Sequence, residues 1–181
     1  VREKEVSDLE YSSVFYLNVF LSLIVYFLLF VSSGFIADFY KESSLKNIAR
    51  VTFLVIPLNA FAVVQNAVLV RNLDFKKIFV VSLCASILSC VLAIILAVLY
   101  RNVWALVFQN IFLYGFRSIF LWILSKWHPI FSFSLVSIRK YIHFAINLLF
   151  VGFIGNIFNN IYSLIIGRVY STMDLGYYSQ A

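Results

Sequence analysis

The stretch YIHFAINLLFVGFIGNIFNNIYSLIIGR, Tyr141 to Arg168, decides the fold class. Its 28 residues contain no Asp, Glu or Lys, and the only arginine is the last residue. At about 1.5 Å per residue a helix of this length reaches ~42 Å, more than the roughly 20 residues that cross a hydrocarbon layer require. With 100° per residue, Gly152, Gly155, Asn156, Asn159, Asn160, Ser163 and Gly167 fall within one arc of about 140°. Phe150, Ile154, Ile157, Phe158, Ile161, Leu164 and Ile165 fill the opposite arc. The segment therefore reads as a transmembrane helix with a polar stripe. Amides in hydrocarbon are costly unless hydrogen-bonded, and two readings of the stripe stand: close helix packing through small and amide residues, or one wall of a watery cavity.

The rest of the chain has the same character. Hydrophobic residues make up 63% of the 181 residues, aromatics 19% and charged residues only 12%, against about a quarter charged in soluble domains. Mean hydropathy is +0.96. An all-α polytopic membrane protein is expected. The chain begins at Val1 and its only methionine is Met173, so an internal piece of a longer polypeptide is expected.

Working outward, four more spans precede the opening one. Ser7-x-x-Glu10 is a helix-start signature ahead of a span over about 8–37. Asp38 to Arg50 is a short polar connection in which Ser43 or Ser44 could cap a second helix, about 45–70. Pro57 should kink that helix near its middle, and Thr52, Asn59, Ala62 and Asn66 share a face of it. After the basic turn Arg71 to Lys77 comes the most apolar span, about 78–100. Cys84 and Cys90 within it are about 9 Å apart along the axis, too far for a disulfide, and read as buried small residues. The fourth span, about 103–125, carries Asn110, Tyr114 and Arg117 on one face. Lys126 to Lys140 then forms a link broken by Pro129, its Ser134 to Tyr141 end expected as a short interfacial helix.

Counting Lys and Arg at the span ends gives eight on one side (Arg2, Lys4, Arg71, Lys76, Lys77, Lys126, Arg139, Lys140) and five on the other (Lys41, Lys46, Arg50, Arg101, Arg168). The positive-inside rule puts the N-terminal end, the 71–77 turn and the link in the cytoplasm. The net charge of +6 is scattered between apolar runs, which excludes a phosphate-tracking nucleic-acid patch.

Arg117 is the residue that fits its surroundings least. It lies about 13 Å along the axis from Lys126. A guanidinium can snorkel part of that way; alternatively it faces a central polar space, where its fixed charge and forked donors suit a phosphate. Asp and Glu sit only at or beyond span ends, so this stretch offers no mid-membrane carboxylate for proton or sodium coupling, and such a site is expected elsewhere in the longer polypeptide. His143, near the cytoplasmic mouth, reads as a solvated interface residue. Paired carboxylates, a nucleophile with its base, a metal ligand set and a phosphate-binding loop do not appear in this stretch, so no enzyme, metal centre or cofactor is expected from it.

In order along the chain, Ser12-Ser13-Val14-Phe15-Tyr16-Leu17-Asn18, Ile36-Ala37-Asp38-Phe39-Tyr40, Leu69-Val70-Arg71-Asn72-Leu73-Asp74-Phe75-Lys76-Lys77, Val103-Trp104-Ala105-Leu106-Val107, Ile166-Gly167-Arg168 and Leu175-Gly176-Tyr177-Tyr178-Ser179 resemble the oligosaccharide flippase (polysaccharide transporter) family of the multidrug/oligosaccharidyl-lipid/polysaccharide exporter superfamily. The resemblance implies a two-lobed fold of 12–14 helices. Residues 1–140 would complete the first lobe with the cytoplasmic link 126–140, and 141–181, with a helix over about 141–168, would open the second. It further implies a multi-pass protein of the bacterial inner membrane that flips undecaprenyl-pyrophosphate-linked oligosaccharide repeat units for O-antigen, capsule or exopolysaccharide assembly by alternating access. The expected partners are the lipid-linked oligosaccharide on its polyprenyl pyrophosphate carrier, membrane lipid and a polysaccharide polymerase. Arg117 would meet the pyrophosphate. Asn59, Asn66, Asn110, Tyr114, Asn156, Asn159, Asn160 and Ser163 would line the cavity. The rival readings are a same-fold exporter of drugs or of the peptidoglycan lipid precursor, and a polytopic glycan polymerase or acyltransferase.

Overall fold

A computed structural model describes residues 7–169, including a subset of the side chains in its last helix. The described residues form helices only: α1 (Asp8–Tyr40), α2 (Leu45–Thr52), α3 (Val55–Arg71), α4 (Phe75–Tyr100), α5 (Trp104–Ser125) and α6 (Leu135–Val169). Arg2, Lys4 and the 175–179 segment lie outside the described residues.

Local chemistry sets most of the boundaries. At the start of α1, Ser7 Oγ accepts from the Glu10 N–H at 3.3 Å while the Ser7 N–H donates to Glu10 Oε2 at 3.0 Å, a complete capping box. Lys41, Arg101 and Lys126 close α1, α4 and α5 in the left-handed conformation. Each sets a cation beside the negative helix end, where glycine is commoner.

The second span is two helices, not one kinked helix. Pro57 has no N–H and its ring crowds the carbonyl four residues back, at Phe53. The chain turns at Phe53 and Leu54, and Phe53 O accepts instead from the Ile56 N–H at 3.0 Å. The break thus falls near one end of the span, and Thr52 is left on α2, where its hydroxyl donates to Ile48 O. Ser44 occupies the position before α2 but makes no side-chain capping bond, because its own backbone is already helical.

Four segments are long and apolar enough to cross a membrane: Asp8–Tyr40 with 33 residues, Leu45–Arg71 with 27, Phe75–Tyr100 with 26 and Trp104–Ser125 with 22. α6 has 35 residues, with an apolar stretch at Ala145–Phe158. It absorbs the separate interfacial helix expected at Ser134 to Tyr141, since no proline or glycine interrupts the chain between Leu135 and Tyr141.

The helices pack in the spatial order α4, α5, α3, α1, α6, with α2 against α1 and α5. The α4–α5 contact is the most extensive. α4 buries Val81, Ala85, Ser89 and Ala93, a seam of mostly small residues at four-residue spacing. α5 carries an aromatic ladder at the same spacing: Trp104, Phe108, Phe112, Phe116 and Phe120, with successive ring centroids 6.1–6.3 Å apart. Cys84 and Cys90 fall off the α4 seam and are exposed, which corrects their reading as buried residues. The outer faces are covered with exposed Phe, Leu, Ile and Val, among them Phe20, Phe27, Phe35, Phe79 and Ile94. Such a surface is stable only against hydrocarbon.

The link after α5 lies strapped along the start of α1. Ser12 Oγ accepts from the Ile130 N–H and Ser13 Oγ from the Ser134 N–H, both at 2.9 Å, and both serines are fully buried. Trp127 Nε1 donates to Asp8 Oδ1 at 3.2 Å. Around these bonds Phe15 sits edge-on to Tyr16, Trp122 and Trp127. Arg71 reaches Tyr11 at the same end. The start of α1, the end of α3 and the link therefore share one end of the bundle, as the charge count requires.

Candidate functional site

α5 stands between α3 and α4, so its polar face opens on both neighbours. Towards α3, Asn59, Ala62, Val63, Asn66, Arg117 and Leu121 line a cleft of about 250 Å³. On the α4 side a cleft of about 140 Å³ is lined by Ser82, Ala85, Ser86, Leu113, Tyr114 and Arg117. Arg117 belongs to both. On the helical wheel it lies between Leu113 and Leu121, so its guanidinium stands at the ridge separating the two spaces.

This guanidinium is half-buried and makes no ion pair or hydrogen bond among the described residues. Nothing in either cleft is acidic. An arginine at the middle of a membrane span costs from about 2.5 to well above 10 kcal/mol, according to how far water and lipid relax around it. It is tolerable here because the clefts are polar: two amides on one side, two serine hydroxyls and a phenol on the other. Asn66 Oδ1 is also buried without a partner. The first cleft thus offers forked cationic donors beside two amide side chains within one small space. Such a set suits an anionic ligand that also carries hydroxyls.

The wall behind this cleft is rigid. Trp122 Nε1 donates to Phe61 O at 2.9 Å, and the fully buried Gln65 lies between them, its amide assigned to the orientation in which its nitrogen donates to Phe61 O and its oxygen accepts from Trp122 Nε1. Asn18 Nδ2 donates to Ala60 O at 3.1 Å, tying α1 to α3. These bonds fix the rotation of α3 that turns Asn59 and Asn66 towards Arg117.

The structure therefore gathers Asn59, Asn66, Tyr114 and Arg117. Asn110 is exposed, donates to Leu106 O at 3.2 Å and lines neither cleft. Asn156 and Asn160 are exposed on α6 and donate back to Gly152 O and Asn156 O, each at 2.9 Å. α6 packs on α1, so this polar stripe is not brought to Arg117. The side chains of Asn159, Ser163, His143 and Arg168 lie outside the described residues. Ser82 and Ser86, on the α4 wall, were missed by sequence reasoning. Their four-residue spacing beside the buried Ala85 was the available signal.

The family of polysaccharide biosynthesis proteins matches residues 1–181. Teichuronic acid biosynthesis protein TuaB of Bacillus subtilis (strain 168) is 24% identical over 183 residues, covering 100% of this chain and 38% of that protein. Succinoglycan biosynthesis transport protein ExoT of Rhizobium meliloti (strain 1021) is 28% identical over 174 residues, covering 93% of this chain and 34% of that protein. The chain thus spans little more than a third of the length of these relatives. No solved structure is significantly similar. A match along the whole length, on a multi-pass helical bundle with a polar centre, establishes that the chain belongs to the polysaccharide biosynthesis protein family.

Proposed function

We propose that the protein carrying this chain is a transporter that flips polyprenyl-pyrophosphate-linked oligosaccharides across the bacterial inner membrane by alternating access. The observation that carries the reading is Arg117: a guanidinium at mid-span with no partner among the described residues, open to two polar clefts whose described lining holds no acidic residue. A pyrophosphate would neutralise it, and sugar hydroxyls would answer the amides of Asn59 and Asn66. The names of the relatives support polysaccharide transport as the setting.

The first lobe ends, in this reading, with the link. Ser12 and Ser13 hold residues 126–134 to α1, and α6 departs from there to begin the second lobe, its polar stripe turned towards helices that follow. Cysteines at Asn156 should react with a water-soluble thiol reagent, and cysteines at Ile154 should not, in a protein whose native Cys84 and Cys90 have been replaced.

The function is tested in a strain lacking the protein. Sugar-labelled polyprenyl-pyrophosphate intermediates should accumulate on the cytoplasmic leaflet while surface polysaccharide falls, and the wild-type gene should reverse both. Unchanged delivery of labelled glycan to the periplasmic face without the protein would refute transport.

A further inference from the structure

A second cavity, larger and quite different in chemistry, lies at the end of the bundle remote from the link. It measures about 410 Å³ and runs between α4 and α5, walled by Leu96 and Tyr100 from one helix and by Trp104, Phe108 and Phe112 from the other, with Asn102 of the connecting turn at its mouth. The helix geometry accounts for it. A ladder at four-residue spacing rotates by about 40° per rung. Its inner rungs meet the core, where Phe120 packs against the cluster formed by Ala62, Leu69, Val81 and Leu121. Its outer rungs, Trp104 tilted against Phe108 and Phe108 stacked on Phe112, line the open groove.

Arg101 stands in the turn between two residues of this mouth, Tyr100 and Asn102. It is exposed, is held in the left-handed conformation at φ 45° and its side chain has no partner among the described residues. Tyr100 and Trp104 beside it are the residue types that settle at the headgroup level. From Trp104 to Phe112 the groove extends about 12 Å along the helix, close to the depth of one leaflet's hydrocarbon, ~15 Å.

We propose that this groove is a binding site for an anionic phospholipid, with one acyl chain along the Trp104–Phe108–Phe112 rungs and the headgroup phosphate at Arg101. The complementarity is specific: an unpaired cation at the mouth, a hydrogen-bonding amide next to it, and an apolar slot leading inward. The site is independent of Arg117, which lies about 20 Å further along α5 from Trp104, and of the cargo.

The test is native mass spectrometry on the protein purified from membranes and exchanged into defined lipid. Wild type should retain one phosphatidylglycerol in preference to phosphatidylcholine. Arg101→Gln should lower that retention about fivefold, the worth of one surface cation to an anionic lipid, to the phosphatidylcholine level. Phe108→Ala, at an exposed ring, should shorten retention of both lipids. Lys46→Gln, which removes an equally exposed cation elsewhere, should change nothing. Undiminished phosphatidylglycerol retention in Arg101→Gln, an equal loss in Lys46→Gln, or displacement of the lipid by polyprenyl phosphate would each overturn the assignment.

Discussion

Replacing Arg117 by glutamine should separate function from stability. Among the described residues the guanidinium has no ion pair or hydrogen bond, so its removal breaks none of the bonds seen there. It does relieve a desolvated cation. A charged side chain at mid-membrane costs about 2.5–3.5 kcal/mol on insertion scales, and hydration in the two clefts offsets part of this, leaving a gain on the order of 1 kcal/mol. That corresponds to a small rise in Tm, since a given free-energy change shifts Tm less as the unfolding unit grows. Cargo handling should move the other way. A charge-assisted bidentate contact to phosphate contributes about 1.5–3 kcal/mol, so the variant should bind a polyprenyl-pyrophosphate cargo some 10- to 150-fold more weakly. Arg117→Lys keeps the charge but loses the fork, and should fall between. The assay pairs thermal unfolding in detergent with surface-glycan output at matched membrane abundance. A structural arginine gives the opposite pattern. If Arg117→Gln lowers Tm while glycan output is retained, Arg117 is a packing residue and the reasoning fails.

Three further outcomes follow from the bundle itself. Ser12→Ala leaves the Ile130 N–H without its acceptor and should cost about 1–3 kcal/mol, read as a lower Tm and faster proteolysis of the 126–134 link; an unchanged Tm and cleavage rate would mean that water replaces the hydroxyl. Pro57→Ala restores an N–H four residues beyond Phe53 O and should fuse α2 to α3, straightening the span. Spin labels at Asn47 and Val63 would report a longer separation, and an unchanged distance would put the cause of the break elsewhere. Leu73 has a φ of 58°, a conformation costing a side chain about 1–2 kcal/mol, so Leu73→Gly should raise Tm. A fall would show that the exposed leucine packs against lipid usefully.

The parts of this fold that depend on short-range chemistry were readable in the sequence. Ser7 and Glu10 marked the start of α1, charged turns marked the span ends, and hydropathy marked the spans. Arg117 was conspicuous because a lone cation in an apolar run has few explanations, and helical periodicity placed Asn59 and Asn66 on one face of α3. The position of the break at Phe53 was also legible, since proline acts on the carbonyl four residues before it, yet a kink at Pro57 itself was the simpler expectation. What could not be read was which helix meets which. Ser12 and Ser13 bond backbone groups 118 and 121 residues away, and nothing local distinguishes them from serines such as Ser22 and Ser89, whose hydroxyls donate within their own helix. The match between the small-residue seam of α4 and the aromatic ladder of α5 is likewise a property of the pair. Each half alone reads as an ordinary apolar span. For the same reason Cys84 and Cys90 were misjudged: burial in a membrane helix is decided by which face its neighbour takes, and both lie off that face. The polar stripe of α6 is legible as a stripe, but its distance from Arg117 depends on α6 packing against α1.

The central claim, that an unpaired mid-span arginine receives the anionic headgroup of a lipid-linked glycan, is tested most directly in proteoliposomes. The protein, reconstituted in full, would be supplied with a fluorescent polyprenyl-pyrophosphate oligosaccharide, and transbilayer movement followed by quenching from the outer face. Wild type should move the lipid, and Arg117→Gln, equally folded and equally inserted, should move it at least tenfold more slowly. Equal rates for the two proteins would contradict the account.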